Sequence, residues 1–295
     1  MTLSIARLLA LKQQAGSRST PAVPSAPASP SPNNQIETLR RMVELRSRAT
    51  KTASKPHRDR SVPGSEIAPG LHLHEALVPL DLRSGRELCG AFDRGDAIDL
   101  ESVLFFDTET TGLSGGTGTR AFMIGVAQFV PNDSARYNLR VRQLLTTTLG
   151  AESAMLREFA QWLQPQTVLC SYNGKSYDAP LLKTRFRLGR LGNPLQDLRH
   201  VDLLYPTRRQ YKGVYENCRL GTIEREVLRV VREDDLPGSE APAAWLSYLH
   251  GGSAANLRRV GEHNHQDVVS LSRLLLHLSA LSSTMHGQAL TDGLA

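Results

Sequence analysis

Hydrophobic and polar positions change their spacing several times along the chain, and each change marks an element. Val103, Leu104, Phe105 and Phe106 form an unbroken apolar run. Such a run, without polar alternation, predicts a strand covered on both faces. Ala121 to Val130 predicts a second strand, and the alternation from Tyr137 to Leu145 a third. The period then lengthens: Met155, Phe159 and Trp162 share one helical face between Ala151 and Leu163, ahead of Pro165. Residues 168–172 return to a short buried strand, and Asn173-Gly174 turns the chain. A helix over 179–190 follows, with Asp178 as its N-cap and Pro180 in its first turn. Another helix falls near 220–232, and a Leu-rich helix after Gly261 runs to about Ser282. Strands alternating with helices predict an α/β domain.

The chain before this domain reads differently. Residues 16–35 are a Pro/Ser/Ala linker unable to build a core. A helix is predicted over Ile36 to Ala53, and 54–70 read as a second flexible stretch. The expected organisation is a flexible basic region (1–70), a small lead-in segment with short strands (71–99), the α/β domain (100–283) and a C-terminal tail (284–295). Charge follows the same division. Residues 1–70 carry 11 Lys and Arg against 4 Asp and Glu, while the other 225 carry 24 against 25. The basic part comprises Arg40, Arg41, Arg46, Arg48, Lys51, Lys55, Arg58 and Arg60. It could hold a nucleic-acid backbone electrostatically, or serve as a solvated tail. No apolar run is long enough to cross a bilayer, and Arg7 and Lys12 interrupt the apolar patch of residues 1–15, so a cytoplasmic location is expected. Cys89, Cys170 and Cys218 are scattered and lack metal-ligand spacing, as expected of reduced thiols.

The candidate chemistry begins where the Val103 strand ends. Asp107 and Glu109 are two residues apart, so a strand presents both carboxylates on one face. Adjacent carboxylates need a neutralising charge, and paired hard oxygens suit Mg²⁺ or Mn²⁺. A polar turn of Asp, Thr and Gly has much the same composition, so the pair alone leaves both readings open. Three further segments could add carboxylates: Asp178 after the Asn173-Gly174 turn, Asp202 in an apolar setting, and Asp267 with His263 four residues before it. That last spacing puts both groups on one helical face.

Together these segments resemble the DEDD superfamily of 3′–5′ exonucleases, whose domain has the ribonuclease-H-like fold. Asp107-Thr108-Glu109-Thr110-Thr111-Gly112 is similar to the first motif of that superfamily. Asn173-Gly174-Lys175-Ser176-Tyr177-Asp178 is similar to the second, in the form seen in family-B polymerase proofreading domains, and His263 to Asp267 to the third. The wider wording resembles the bacterial YprB-type branch: Thr111-Gly112-Leu113-Ser114-Gly115-Gly116, Ala121-Phe122-Met123-Ile124-Gly125, Cys218-Arg219-Leu220, Asp235-Leu236-Pro237-Gly238 and Glu262-His263-Asn264. One departure concerns the base. The standard subtypes place a His five residues before the last Asp, or a Tyr four before it; here a His stands at the four-residue spacing.

The resemblance implies a mixed sheet flanked by helices and a metal-dependent nuclease, a 3′–5′ exonuclease acting on single-stranded nucleic acid or 3′ ends, with no protein partner indicated. It assigns Asp107, Glu109, Asp178 and Asp267 to two divalent ions, Mg or Mn, about 3.5–4 Å apart. His263 would act as general base; His265, turned about 200° away on a helix, is the weaker candidate. Thr110, Gly112, Leu113 and Asn173 would contact substrate. A nucleic-acid-binding scaffold with the same fold and little turnover is the alternative. The missing Gly-Lys-Ser/Thr ending of Gly112 to Thr119 argues against a P-loop; ATP-dependent phosphotransfer by a sugar-kinase or actin-like ATPase is a distant alternative, which would leave Asp178 and the His263–Asp267 pair unexplained.

Overall fold

Val103 to Phe106 lie at the centre of the structure, a computed structural model that describes residues 59–83, 87–112, 118–232 and 236–292, with side chains as far as Thr284. All four are fully buried. They open strand β5 (Val103–Thr110) of a seven-stranded sheet, whose other members are β1 (Ser65–Ala68), β2 (Leu71–Arg83), β6 (Ala121–Pro131), β7 (Arg136–Thr146), β8 (Val168–Ser171) and β9 (Arg199–Asp202). The spatial order is β1-β2-β7-β6-β5-β8-β9. The first five in that order are antiparallel neighbours, while β8 runs parallel to both β5 and β9. Strands β3 (Glu87–Leu88) and β4 (Ile98–Asp99) form a separate ribbon. Among the described residues the α-helices are α1 (Glu152–Gln161), α2 (Asp178–Leu188), α3 (Leu204–Tyr211), α4 (Leu220–Ile223), α5 (Ala241–Leu249) and α6 (Ala255–Asp292).

Strand parity sorts the core into two layers. Val103 and Phe105 pack with Val268, Leu271 and Leu275 of α6 on one face. Leu104 and Phe106 pack with Met155 and Phe159 of α1 and with Leu182 and Phe186 of α2 on the other. Residues further along β5 inherit these directions: Asp107 and Glu109 continue towards α6, and Thr108 towards α2. Helix α5 lies over the β6–β7 end, where Trp245 stacks on Phe122 with ring centroids 5.1 Å apart and donates its indole N–H to the Thr146 carbonyl at 2.7 Å.

The predicted mixed sheet and its main strands and helices are present, and four boundaries differ. Residues 65–83 belong to the sheet itself: β2 pairs with β7 from Leu71 to Pro79, so the lead-in segment is part of the domain. Pro79, which cannot donate to the ladder, coincides with a register break before Arg83 and obscures the strand's length. The helix expected near 220–232 stops early, with a π-helical turn over Glu224–Leu228 and a left-handed Arg229 (φ 57°). Val227, Val230 and Val231 favour helix weakly. Helix α6 continues to Asp292, into the expected tail. Asp178 is the first residue of α2 rather than its cap. The linker, the Ile36 to Ala53 helix and Leu113 to Thr117 lie outside the described residues. Arg60 does not belong with a free basic tail: its guanidinium donates to the Tyr248 and Gly252 carbonyls at 2.8 and 3.0 Å and stacks on Tyr248.

Helices α1 and α2 are joined by an ion pair at the edge of the core. Arg185 donates to both Glu152 oxygens at 2.6 Å, and Arg120 adds a contact at 3.0 Å. Arg185 is 8% exposed. Removing Arg185 leaves Glu152 to the more exposed Arg120 alone, so most of its pairing is lost. Arg185→Leu is therefore expected to cost about 3 kcal/mol in urea unfolding, with part recovered when Glu152→Gln is added; an additive double variant would contradict this.

Candidate functional site

Asp107 is the hub of the site. It stands on β5 facing α6, and the carboxylates of Asp267, Asp178 and Glu109 all lie near enough to act on it. Burial first, and then these three like charges, raise its proton affinity well above the ordinary carboxylate range. Glu109 is buried at 7% exposure, one strand period further on. Asn264 of α6 holds the hub in place: its side-chain amide donates to Asp107 Oδ2 at 3.0 Å and to the Asp107 carbonyl at 3.4 Å. The Asn264 carbonyl oxygen in turn accepts from Gln143 at 3.0 Å. The fit is close, because a Cβ at Gly125 would come within 2.0 Å of Asn264 Oδ1.

Asp178 approaches from the α2 side of the strand, where Thr108 donates its hydroxyl to Asp178 Oδ1. Its own position depends on a turn organised by Asp202. That carboxylate is fully buried and accepts backbone N–H groups from Asn173 (2.7 Å), Lys175 (3.0 Å) and Leu204 (3.1 Å). Asn173 takes a left-handed conformation (φ 65°), which Asn tolerates better than most residues. A Cβ at Gly174 would lie 2.4 Å from Ser171 Oγ and 3.1 Å from Asp178 Oδ2, so the turn needs glycine by close approach. Asp202, a sequence candidate for a further ligand, is thus spent on backbone. Burial, partly opposed by the Thr108 bond, raises Asp178 from 3.8 to about 6.

Asp267 and His263 share one face of α6, with His263 Nε2 3.5 Å from Asp267 Oδ2. Burial raises the proton affinity of Asp267, while His263 and Arg232 act to lower it. His265 is turned away, beside His74, and burial lowers its proton affinity. Sequence reasoning missed Arg232. Its guanidinium bridges Asp267 Oδ1, both oxygens of Glu224 (2.6 and 2.8 Å) and His263 Nδ1 (3.0 Å). Glu224, also missed, is 1% exposed. Nothing local in the sequence flags either residue. Asn264 does carry a signal: it interrupts the apolar stripe Leu257, Val260, Val268, Leu271 and Leu275 on α6.

The remaining expected residues are placed unevenly. Thr110 donates its hydroxyl to the Gly112 carbonyl at 2.8 Å, a contact within the loop. Gly112 and Asn173 lie in the turns that flank the carboxylates, and Leu113 is outside the described residues. Hard oxygen donors that repel one another suit a divalent cation. Among the described residues, however, no three His, Cys, Asp or Glu side chains already meet as a cage. All three cysteines are free, and no described helix is long and apolar enough to cross a membrane.

A mixed sheet with carboxylates converging from a central strand and two flanking helices defines the class, a ribonuclease-H-like domain. The RNase_H superfamily profile matches residues 104–279, and the chain belongs to that superfamily. An uncharacterized protein of Bacillus subtilis (strain 168), YprB, is 37% identical over 179 residues, 60% of this chain and 42% of the relative. This chain therefore spans less than half of that relative's length. Solved structures of E. coli exonuclease I align weakly. The complex with a dT13 oligonucleotide gives a TM-score of 0.36 at 14% identity over 52% of this chain and 42% of that one. The complex with dA16 gives 0.34 at 16% identity over 54% and 42%.

The raised proton affinity of Asp178 has a definite sign. An acid held above its ordinary value in the fold is unstrained below pH 3.8 and destabilising once ionised, so stability is lost as pH rises from 3.8 through about 6. Asp178→Asn is expected to match the wild type in chelator at pH 3.5 and to exceed its unfolding free energy at pH 7 by up to roughly 3 kcal/mol. Equal melting curves at both pH values would contradict the assignment.

Proposed function

We propose that this protein is a metal-dependent nuclease that hydrolyses phosphodiester bonds, as a 3′–5′ exonuclease on single-stranded nucleic acid. The observation that carries the reading is the gathering of Glu109, Asp178 and Asp267 around Asp107, which raises its proton affinity. A fold has no structural use for four like charges in one buried place, and cations relieve them. Bound there, two divalent ions would neutralise the developing phosphate charge and acidify water. Asp107, Glu109 and Asp267 would hold one ion and Asp178 would help to hold the second. Asn264 keeps the Asp107 carboxylate turned towards the site, and Thr108 does the same for Asp178. His263, beside Asp267, accepts a proton at a ring nitrogen; His265, facing His74, does not take part. The basic residues of the N-terminal region, from Arg40 to Arg58, hold substrate phosphates.

A digestion panel with 5′- and 3′-labelled DNA and RNA strands in Mg²⁺ and Mn²⁺ tests this reading. Stepwise shortening from the 3′ end is expected, reduced by more than about 10³-fold in Asp107→Asn and by about 10²–10⁴-fold in His263→Ala, with His265→Ala near wild type. Strand binding without any cleavage would leave a nucleic-acid-binding scaffold instead. Wild-type turnover in Asp107→Asn would end the two-ion reading.

Deleting residues 1–58, which spares the Arg60 anchor, tests the basic region. Binding should weaken, and the log–log salt slope should flatten by roughly 0.7 for each phosphate of a single strand that is no longer neutralised, while the saturated rate holds. An unchanged slope would make the region a solvated tail.

A further inference from the structure

We infer that Arg232 is a built-in competitor for the cation at Asp267, anchored on Glu224 and holding His263 in the wrong tautomer for a base. The inference deepens the nuclease reading and rests on it. Three contacts of one guanidinium carry it. Arg232 reaches Asp267 Oδ1, so a positive charge already occupies the carboxylate that a divalent ion would use. Arginine only donates, so the 3.0 Å contact with His263 Nδ1 makes that nitrogen the acceptor. With Nδ1 accepting, the ring proton belongs on Nε2, the nitrogen that lies 3.5 Å from Asp267 Oδ2. In this arrangement neither ring nitrogen has a lone pair free to take a proton from water. The third contact explains why Arg232 stays near when it leaves Asp267. Glu224 is 1% exposed and binds the guanidinium through both oxygens, so losing Arg232 altogether would strand a buried charge.

The backbone places Arg232 for this role. The π-helical turn over Glu224–Leu228 and the left-handed Arg229 end the helix four residues before Arg232, and Val230 N–H closes the turn on the Glu224 carbonyl at 2.9 Å. Anchor and competitor therefore sit on one tight excursion, and Arg232 can pivot on Glu224 between two states. In one it covers Asp267 and His263. In the other a cation holds Asp267 and His263 is released. Arg232 is a positioning residue in this scheme; it acts through Asp267 and His263.

Calorimetric titration of Mn²⁺ into the full chain, with substrate absent, reads the competition directly. Arg232→Gln should bind Mn²⁺ at least tenfold more tightly than wild type, although its metal-free melting temperature falls. Arg232→Lys keeps a charge for Glu224 but cannot span three partners, and it should also bind more tightly, which covers the case of a poorly folded Gln variant. Glu224→Gln removes the anchor, leaves Arg232 wholly to Asp267, and should bind more weakly. Equal or weaker Mn²⁺ binding in both Arg232 variants would overturn the inference and make Arg232 a structural support for Asp267. If the wild type binds no Mn²⁺ and is indistinguishable from Asp107→Asn, the nuclease reading itself has failed.

Discussion

Repulsion among carboxylates around Asp107 is the constraint on which the rest of the site depends. Burial and three neighbouring negative charges act on that one side chain in the same direction. A folded chain accepts such a cluster only if its members are held where repulsion would otherwise move them. The holders are distinct: Asn264 for Asp107, Thr108 for Asp178, Arg232 for Asp267. Two of these are themselves fixed from behind, Asn264 by Gln143 and Arg232 by Glu224. Two close packing requirements, Gly125 against Asn264 and Gly174 against Ser171 and Asp178, fall on this scaffold.

One strand sets the directions. Because side chains alternate on β5, Asp107 and Glu109 look towards α6 while Thr108 looks towards α2. The two helices therefore serve opposite sides of a single short segment, α6 bringing His263, Asn264 and Asp267, and α2 bringing Asp178. The fully buried run Val103–Phe106, packed into both core layers, prevents the strand from twisting out of this register. Asp202 fulfils the same need on the α2 side, fixing the turn that launches the helix through three backbone N–H groups.

What can be read from the sequence follows from this division between local pattern and tertiary contact. The apolar run and the Asp-x-Glu spacing are local, so β5 and its charged end are legible. The His263–Asp267 spacing is local as well, and helix geometry alone separates His263 from His265. Asn264 is legible as a polar residue on an apolar stripe, but its partner Gln143 is 121 positions away. Arg232 and Glu224 cannot be read, because their meeting depends on a π-helical turn that ordinary helical periodicity does not register. The same periodicity extends the preceding helix too far. Arg60 looks like part of a basic tail because charge counts do not reveal that a guanidinium is taken up by the carbonyls of Tyr248 and Gly252. Strand β2 is harder to see than its neighbours because Pro79 interrupts its pattern.

The histidine also links electrostatics to chemistry. Nδ1 of His263 accepts from the Arg232 guanidinium, and Nε2 lies 3.5 Å from Asp267 Oδ2. In the proposed exchange, the charge that quiets Asp267 is also the charge that disables the base, and both effects belong to one side chain. Were the two functions held by separate groups, a cation could arrive while the base stayed blocked, or the base could be freed at a site still lacking charge. A single pivoting guanidinium, as proposed, would remove those mixed states. Glu224 fits that proposal: a buried carboxylate on the same tight excursion would keep a displaced guanidinium from being drawn away into solvent, so the exchange would be reversible.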